Sequence, residues 1–138
     1  HLNASVGLPD HHQFLCTVVV PMVINLLTVE PEGIRQAAAG GLSHFIGDNE
    51  QLAAAAVDAD AISRISTTLM SAAEDGVKQG CLEALAALCT KRDDCRHAVL
   101  NSKVLPIICA TLQDPKASIR EAACRCTQYL SRSMNHVR

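Results

Sequence analysis

A short pattern of residue types occurs three times along this chain at an almost constant spacing. The segments that begin at Ile34, Val77 and Ile119 each read β-branched apolar, basic, polar, small, small, and successive copies start 43 and then 42 residues apart. A repeat of this length is typical of solenoid proteins, which stack one supersecondary unit many times. The pattern predicts one continuous segment over 1–138, an excerpt of a longer solenoid, with units at roughly 7–48, 49–91 and 92–133.

Apolar residues within each unit recur at helical spacing. A single stripe along three helical turns in the first unit consists of Ile34, Ala37, Ala38, Gly41, Leu42 and Phe45. The corresponding stripe in the second unit consists of Val77, Gly80, Cys81, Ala84, Leu85 and Leu88. Spacings of three and four residues predict α-helices, and no segment alternates as a strand would. We therefore expect an all-α chain in which each unit has a short helix, a second of about ten residues and a longer third helix.

Composition and charge exclude several classes of partner. Only 2% of the 138 residues are aromatic, whereas single-stranded nucleic acids are usually bound by a basic groove with aromatic platforms. The longest nearly apolar run, 15–24, falls short of the roughly 18 to 20 residues that cross a bilayer. Residues 1–60 carry one positive and seven negative side chains, and residues 61–138 carry eleven and seven, so the halves have net charges of −6 and +4. We expect neither nucleic acid nor a membrane as a partner.

The seven cysteines point to a reducing compartment. They are odd in number and contain no CxxC pair, which disfavours a disulfide framework. His12 and Cys16 are one helical turn apart, but two ligands do not make the four that a structural zinc site needs. We expect a cytoplasmic or nuclear protein with no metal and no cofactor.

The sequence offers no catalytic constellation. Cys95 and His97 are two residues apart and therefore point to different sides of a helix, so they do not form a thiol–base pair. His44 has no evident partner, and Gly40-Gly41 lies within a helical pattern instead of a phosphate-binding loop. We expect no enzyme activity and no small-molecule substrate.

A basic residue recurs in register at Arg35, Lys78 and Arg120. Such a series can be mistaken for a binding ladder. We expect instead that each side chain lays its methylene stem along a helix and pairs locally with an acidic residue near a helix start.

The arrangement resembles the armadillo repeat. The segment 49–62 is similar to that family's first helix and its bend into the second, and 77–88 is similar to its third helix. The resemblance implies a right-handed α-solenoid of three-helix units. Armadillo repeats usually place Gly at the bend between the first two helices, where this chain has Val18, Asp60 and Lys103. That departure leaves open a two-helix, HEAT-like form in some units, and the third unit also resembles HEAT.

In armadillo proteins the third helices line a concave groove that binds peptides or other proteins. Carried over by position, the groove of this chain comprises Gln36, Gly40, His44, Gln79, Glu83, Ala87, Glu121, Arg125 and Tyr129. Nuclear-import adaptors of the family carry Trp and Asn ladders at positions that here hold Gly40, Glu83 and Arg125, and then His44, Ala87 and Tyr129. Neither ladder is present, which disfavours a peptide-binding transport adaptor.

The resemblance implies an interaction scaffold that binds a partner protein or peptide. A weaker resemblance, over about twenty residues from Arg120, is to the armadillo scaffold subunit of the GID/CTLH ubiquitin-ligase complex, which recruits the substrate receptor to the ligase core. It implies a role in ubiquitin-ligase assembly. The alternative is a structural spacer within a longer solenoid.

Overall fold

The computed structural model describes residues 13–29, 31–47 and 49–137. Within these ranges it contains eight helical stretches and no strand, which confirms the all-α prediction. Stretch α1 joins a π-helical segment Leu15–Val19, an α-helical segment Val20–Asn25 and a 3₁₀ segment Leu26–Thr28. The others are α2 Glu32–Ile46, α3 Glu50–Asp58, α4 Ala61–Ser71, α5 Asp75–Lys91, α6 Asp93–Leu100, α7 Val104–Thr111 and α8 Ala117–Val137. We call the parts of the predicted ranges that are described unit 1 (α1–α2), unit 2 (α3–α5) and unit 3 (α6–α8).

The third helices form the centre of the structure, because α5 packs against both α2 and α8. Every residue of the stripe predicted in unit 2 is buried, and Leu85 is only 1% exposed. Small residues allow the helices to approach closely. A Cβ atom built on Gly80 would lie 2.7 Å from Ala39 Cβ, which is nearer than real Cβ contacts come. Cys126 of α8 donates its thiol hydrogen to the Leu82 carbonyl of α5 at 3.0 Å, so the second interface is similarly close.

The stripe predicted in unit 1 is correct in the middle of α2 and wrong at its start. Ile34 is 39% exposed and Ala37 is also exposed, whereas Ala39 and Ile46 are buried. The reason is that α2 has a third-helix neighbour, α5, on one side only within the described residues. Its buried face is therefore rotated toward that neighbour.

The three bends differ in shape, as the absence of Gly suggested. Val18 lies inside the continuous helical stretch α1, so unit 1 has no bend there. Asp60 has φ 66° and ψ 38° and is the one non-Gly residue with positive φ among the described residues. Lys103 keeps a right-handed backbone with φ −68° and ψ −7°. The HEAT-like expectation for unit 3 is wrong, because α6, α7 and α8 are three separate helices.

Two of the three recurring basic residues tie neighbouring units together. Arg35 of unit 1 lies 3.7 Å from Glu74 at the N-cap of α5, and Lys78 of unit 2 lies 3.9 Å from Asp114 just before α8. Arg120 donates to the carbonyl oxygens of Asp114 and Pro115 at 2.8 and 2.9 Å. Arg35 and Lys78 thus pair with acidic residues near helix starts, as expected, but these residues belong to the next unit. Arg120 contacts carbonyl oxygens of its own unit instead of a carboxylate.

A second polar cluster fastens α6 to α5 and α8. Arg96 donates to Ser133 Oγ at 2.9 Å and to the Cys89 carbonyl at 2.7 Å, and the Ser133 hydroxyl donates to Asp93 Oδ1 at 2.5 Å. The Ser133 side chain is buried. Its hydrogen bond is the largest of the causes that hold the pKa of Asp93 below its usual value.

Candidate functional site

A cleft of about 430 Å³ runs across the three third helices, from the end of α2 over the second half of α5 to the middle of α8. Its lining residues are Ser43 and Gly47 at the end of α2, Glu83, Ala86, Ala87 and Thr90 on α5, and Arg125 and Tyr129 on α8. Helices α2, α5 and α8 are held close together by their buried interfaces, so tightly packed helices form the floor of the cleft. Four of the nine predicted groove residues, Glu83, Ala87, Arg125 and Tyr129, line this cleft together.

The α5 side of the cleft presents a carboxylate above small residues. Glu83 is half-buried, and its Oε2 accepts a hydrogen bond from Gln79 Nε2 at 3.2 Å. The predicted residue Gln79 therefore orients Glu83 but does not line the cleft itself. One turn later Ala87 leaves open space, and the Thr90 hydroxyl donates to the Ala86 carbonyl at 2.8 Å. This wall offers acceptor groups and little bulk.

The α8 side of the cleft presents cationic and aromatic groups. Arg125 is exposed and lies 3.7 Å from Glu121 one turn earlier, a long ion pair that leaves its guanidinium available to another acceptor. Arg132 lies over the Tyr129 ring with its Cζ 5.0 Å from the ring centre, and it donates to the Thr90 carbonyl at 3.0 Å. The two arginines flank Tyr129 on one face of α8, and Arg132 also ties this wall to α5.

The three groove residues predicted in unit 1 do not line this cleft. Gln36 covers the first turn of α5, since a Cβ built on Gly76 would lie 2.3 Å from Gln36 Cδ. A Cβ built on Gly40 would meet nothing within 4 Å, and His44 is exposed. The rotation of α2 toward α5 explains the difference, because it brings Ser43 and Gly47 to the cleft in place of His44.

Ser43, Gly47, Ala86 and Thr90 are cleft residues that the sequence reasoning missed. Ser43 and Ala86 directly precede the predicted positions His44 and Ala87, and Thr90 follows Ala87 by three residues. Residues spaced four apart form a single row along a helix. A cleft between two helices is bordered by two neighbouring rows of residues. Counting one residue before each predicted position would have identified Ser43 and Ala86.

The buried cysteines have no features of a reactive site. Burial raises the pKa of the Cys81 thiol to about 12, that of Cys126 to about 12 and that of Cys95 to about 11. Burial also raises the pKa of Cys89, so these four thiols stay protonated at neutral pH. His97 pairs with Asp93 at 3.1 Å rather than with Cys95.

Neither a metal-binding cluster nor a membrane-spanning helix occurs in the part of the chain that the structure describes. No group of three or more His, Cys, Asp and Glu side chains in the described residues is placed to hold a metal ion. Of His12 and Cys16, whose spacing was judged insufficient for a zinc site, His12 lies outside the described residues. No described helix combines the length and the apolar character that crossing a membrane requires.

Stacked helical units, of which units 2 and 3 have three separate helices each, with a cleft across the last helix of every unit, define an α-solenoid of the armadillo type. Residues 92–132 match the Armadillo/beta-catenin-like repeat family. This stretch lies in unit 3 and contains α6, α7 and most of α8. The chain therefore has the armadillo-repeat fold, and its sequence similarity to that family lies in unit 3.

Known proteins and solved structures extend this comparison. GID complex subunit 5 of Schizosaccharomyces pombe is 38% identical over 58 residues, which is 42% of this chain and 7% of that protein. A computationally designed armadillo repeat protein for modular peptide recognition superposes with a TM-score of 0.77 at 13% identity, over 88% of this chain and 51% of that one. A designed armadillo repeat protein in complex with the peptide (KR)4 gives a TM-score of 0.74 at 16% identity, with the same coverage. The chain thus spans about half of those designed proteins and a small part of the yeast subunit.

Proposed function

We propose that this chain is a protein–protein interaction scaffold that holds a partner protein or peptide in the cleft of its third helices. The observation that carries the proposal is the cleft itself, about 430 Å³ in volume and lined from all three units. A chain segment entering it meets a carboxylate on α5, a guanidinium on α8 and the hydroxyl groups of Ser43, Thr90 and Tyr129. Such a mixed surface suits a partner with side chains of both charges, because complementary charges fix the register of a complex.

The proposal is tested by reversing the charges on the two walls. We expect Glu83→Arg and Arg125→Glu each to remove partners that the unchanged chain captures from a cell extract, as quantified by mass spectrometry. Both side chains lie at the surface of the cleft, so helix content by circular dichroism should not change. Asp58→Arg and Lys103→Glu are matched controls, since both residues are exposed and lie outside the cleft.

The same experiment separates the scaffold from the structural spacer. If the cleft variants and the control variants capture the same proteins while all remain folded, the cleft does not bind and the spacer function is correct. If only the cleft variants lose a partner, the scaffold proposal holds.

We further propose that the assembly served is a ubiquitin ligase, in the cytoplasm or the nucleus. This proposal is supported by the 38% identity to GID complex subunit 5 over 58 residues. The four buried free thiols suit a reducing compartment. Captured partners should include ligase subunits, and their absence from a capture that retains other specific partners would contradict this assignment.

A transport adaptor for basic peptides is the competing function. Arg125 and Arg132 stand on the α8 face at the cleft, so we expect a fluorescent (KR)4 peptide to bind no better than a neutral peptide of the same length. Fluorescence anisotropy at low salt, where charge effects are largest, measures this directly. Saturable (KR)4 binding that Glu83→Arg abolishes would favour the adaptor.

A further inference from the structure

The lining of the cleft is richer in hydrogen-bond donors than in carboxylates. The Arg125 guanidinium and the Tyr129 hydroxyl stand on the α8 wall, and Ser43 adds a hydroxyl from α2. The carboxylate in the lining belongs to Glu83, and one of its oxygens already accepts a hydrogen bond from Gln79. Such a lining suits a ligand group that accepts hydrogen bonds and carries negative charge.

Arg125 is the donor that the chain itself holds most loosely. Its acidic partner among the described residues is Glu121, whose Oε1 lies 3.7 Å from the guanidinium. The Glu121 side chain is 77% exposed. An ion pair that is long and open to water contributes little to stability. The guanidinium of Arg125 can therefore exchange Glu121 for the carboxylate of a ligand.

Arg132 already has two partners at the end of the cleft. It donates to the Thr90 carbonyl at 3.0 Å, and its Cζ lies 5.0 Å from the centre of the Tyr129 ring. Neither contact uses the Tyr129 hydroxyl, which stays available to a ligand. Residues four apart are neighbours on a helix, so this hydroxyl belongs to the same part of the cleft as Arg125.

The charges of the two units that meet at the cleft give it a polarity. Residues 92–133 include seven Lys and Arg and four Asp and Glu, whereas residues 49–91 include three Lys and Arg and six Asp and Glu. The net charge is therefore +3 on the α8 side and −3 on the α5 side. A field in this direction draws the negative group of a ligand toward α8 and away from α5.

We propose that the segment held in the cleft presents an acidic side chain, aspartate or glutamate, to Arg125. This inference rests on the proposed function and specifies the chemistry of the partner. The carboxylate of the partner replaces Glu121 on the guanidinium and accepts a hydrogen bond from Tyr129. Glu83 on the opposite wall accepts an N–H group of the same segment, and Ala87 leaves room for the main chain between the walls. The segment therefore crosses the helices in one direction.

Selection from a random library of short peptides displayed on phage, with the full chain as the target, tests this proposal. We expect the retained peptides to be enriched in Asp and Glu relative to the input library, and we expect Arg125→Gln to remove that enrichment. Lys103→Gln is the matched control, because it removes the same charge from an exposed site outside the cleft. Circular dichroism should show the same helix content for both variants, since both side chains lie at the surface.

Titration with a retained peptide that lacks Tyr and Trp gives the affinity. Tyr129 is the single tyrosine of the chain, which has no Trp, so intrinsic fluorescence reports on the cleft alone. We expect Arg125→Gln to weaken binding at least about tenfold and Arg125→Lys to weaken it less, because the charge is kept. Glu83→Gln should tighten binding, since it removes a negative charge from the opposite wall and keeps an oxygen that accepts hydrogen bonds.

The outcomes separate this proposal from the proposed function. Retained peptides that depend on the cleft but show no excess of Asp and Glu would overturn the acidic anchor and leave the scaffold function intact. Equal weakening by Arg125→Gln and Lys103→Gln, or a loss of binding with Glu83→Gln, would also overturn it. If the library yields no peptide that Glu83→Arg or Arg125→Glu fails to retain, the cleft does not bind peptides and both proposals are wrong.

Discussion

Helices α2 and α5 carry nearly the same apolar pattern but differ in what covers it. Val77 of α5 is 1% exposed, whereas Ile34, its counterpart on α2, is 39% exposed. Among the residues that the structure describes, α5 has third-helix neighbours on both sides and α2 has one, so the burial of a stripe residue depends on the adjacent unit as much as on its own helix. The comparison shows in one molecule that the stability of a stacked fold is largely a sum over interfaces between units.

The largest expected effect is on the core of α5. Leu85→Ala should lower the free energy of unfolding by about 2 to 5 kcal/mol, because it opens a cavity between tightly packed helices. Ile34→Ala is the matched change on α2 and should cost less than about 1.5 kcal/mol, since the side chain is partly in water and its site can relax. Equilibrium denaturation in urea measures both values, and equal losses would mean that the outer face of α2 is covered in solution.

The close approach of α2 and α5 gives the next largest effect. Gly80→Ala gains about 1 kcal/mol of helix propensity, but the new methyl group overlaps Ala39 and costs about 1 to 3 kcal/mol. We expect a net loss of stability. Gly41→Ala should instead stabilise by about 0.5 to 1 kcal/mol, because a Cβ there meets nothing within 4 Å. If both changes stabilise, the helices are further apart than described here.

The bends of units 2 and 3 should respond to glycine in opposite directions. Asp60→Gly relieves a left-handed backbone and should stabilise by less than about 1 kcal/mol, since Asp tolerates this conformation better than most residues. Lys103→Gly introduces freedom at a right-handed residue and should destabilise by about 0.5 to 1 kcal/mol. Thermal unfolding of the two variants beside the unchanged chain checks the sign of each change.

The smallest effect concerns acid pH and distinguishes unit 3 from unit 2. Hydrogen bonds from Ser133 to Asp93 and from Arg92 to Asp94 are the largest of the causes that lower the pKa of these carboxyl groups below 3.8. A carboxyl group whose pKa is lower in the folded than in the unfolded protein stabilises the fold at pH values above its unfolded-state pKa. That contribution is lost as the pH falls through its folded-state pKa.

We therefore expect Asp93→Asn to flatten the fall in stability below about pH 4. Urea denaturation at a series of acid pH values measures the slope. Glu50→Gln, at the start of α3, serves as the control outside this cluster. An unchanged slope for Asp93→Asn would show that the cluster does not hold in solution.

The fold of unit 2 was predictable because its stripe is flanked on both sides, so sequence pattern and burial coincide. Unit 1 was less predictable, since a pattern on α2 does not state whether a helix lies beyond Ile34. The absence of Gly at Val18 indicated an altered bend, but only the structure shows that π-helical turns replace it. At Lys103 the loop itself differs. The backbone stays right-handed there, so a lysine that would be strained at a left-handed bend is accommodated.

The sequence predicted the cleft residues in one row along the third helices but not those in the adjacent row. Glu83, Ala87, Arg125 and Tyr129 come together because the repeat register aligns α5 with α8. Gln36 lies away from the cleft. Its side chain packs on the next unit, where Gly76 has no side chain and so leaves room for it. Such a contact depends on a residue forty positions away, and helical spacing within one unit carries no information about it.

The unequal exposure of the thiols has a practical consequence. Cys109 and Cys124 are exposed on α7 and α8, whereas Cys81, Cys89, Cys95 and Cys126 are buried. A maleimide dye added to the folded protein should therefore attach mainly to unit 3, with half-buried Cys16 as the slower site. The molecule thus carries natural attachment points beside the helix that forms one wall of the cleft, and the arrival of a partner can be followed by fluorescence without engineering a single residue.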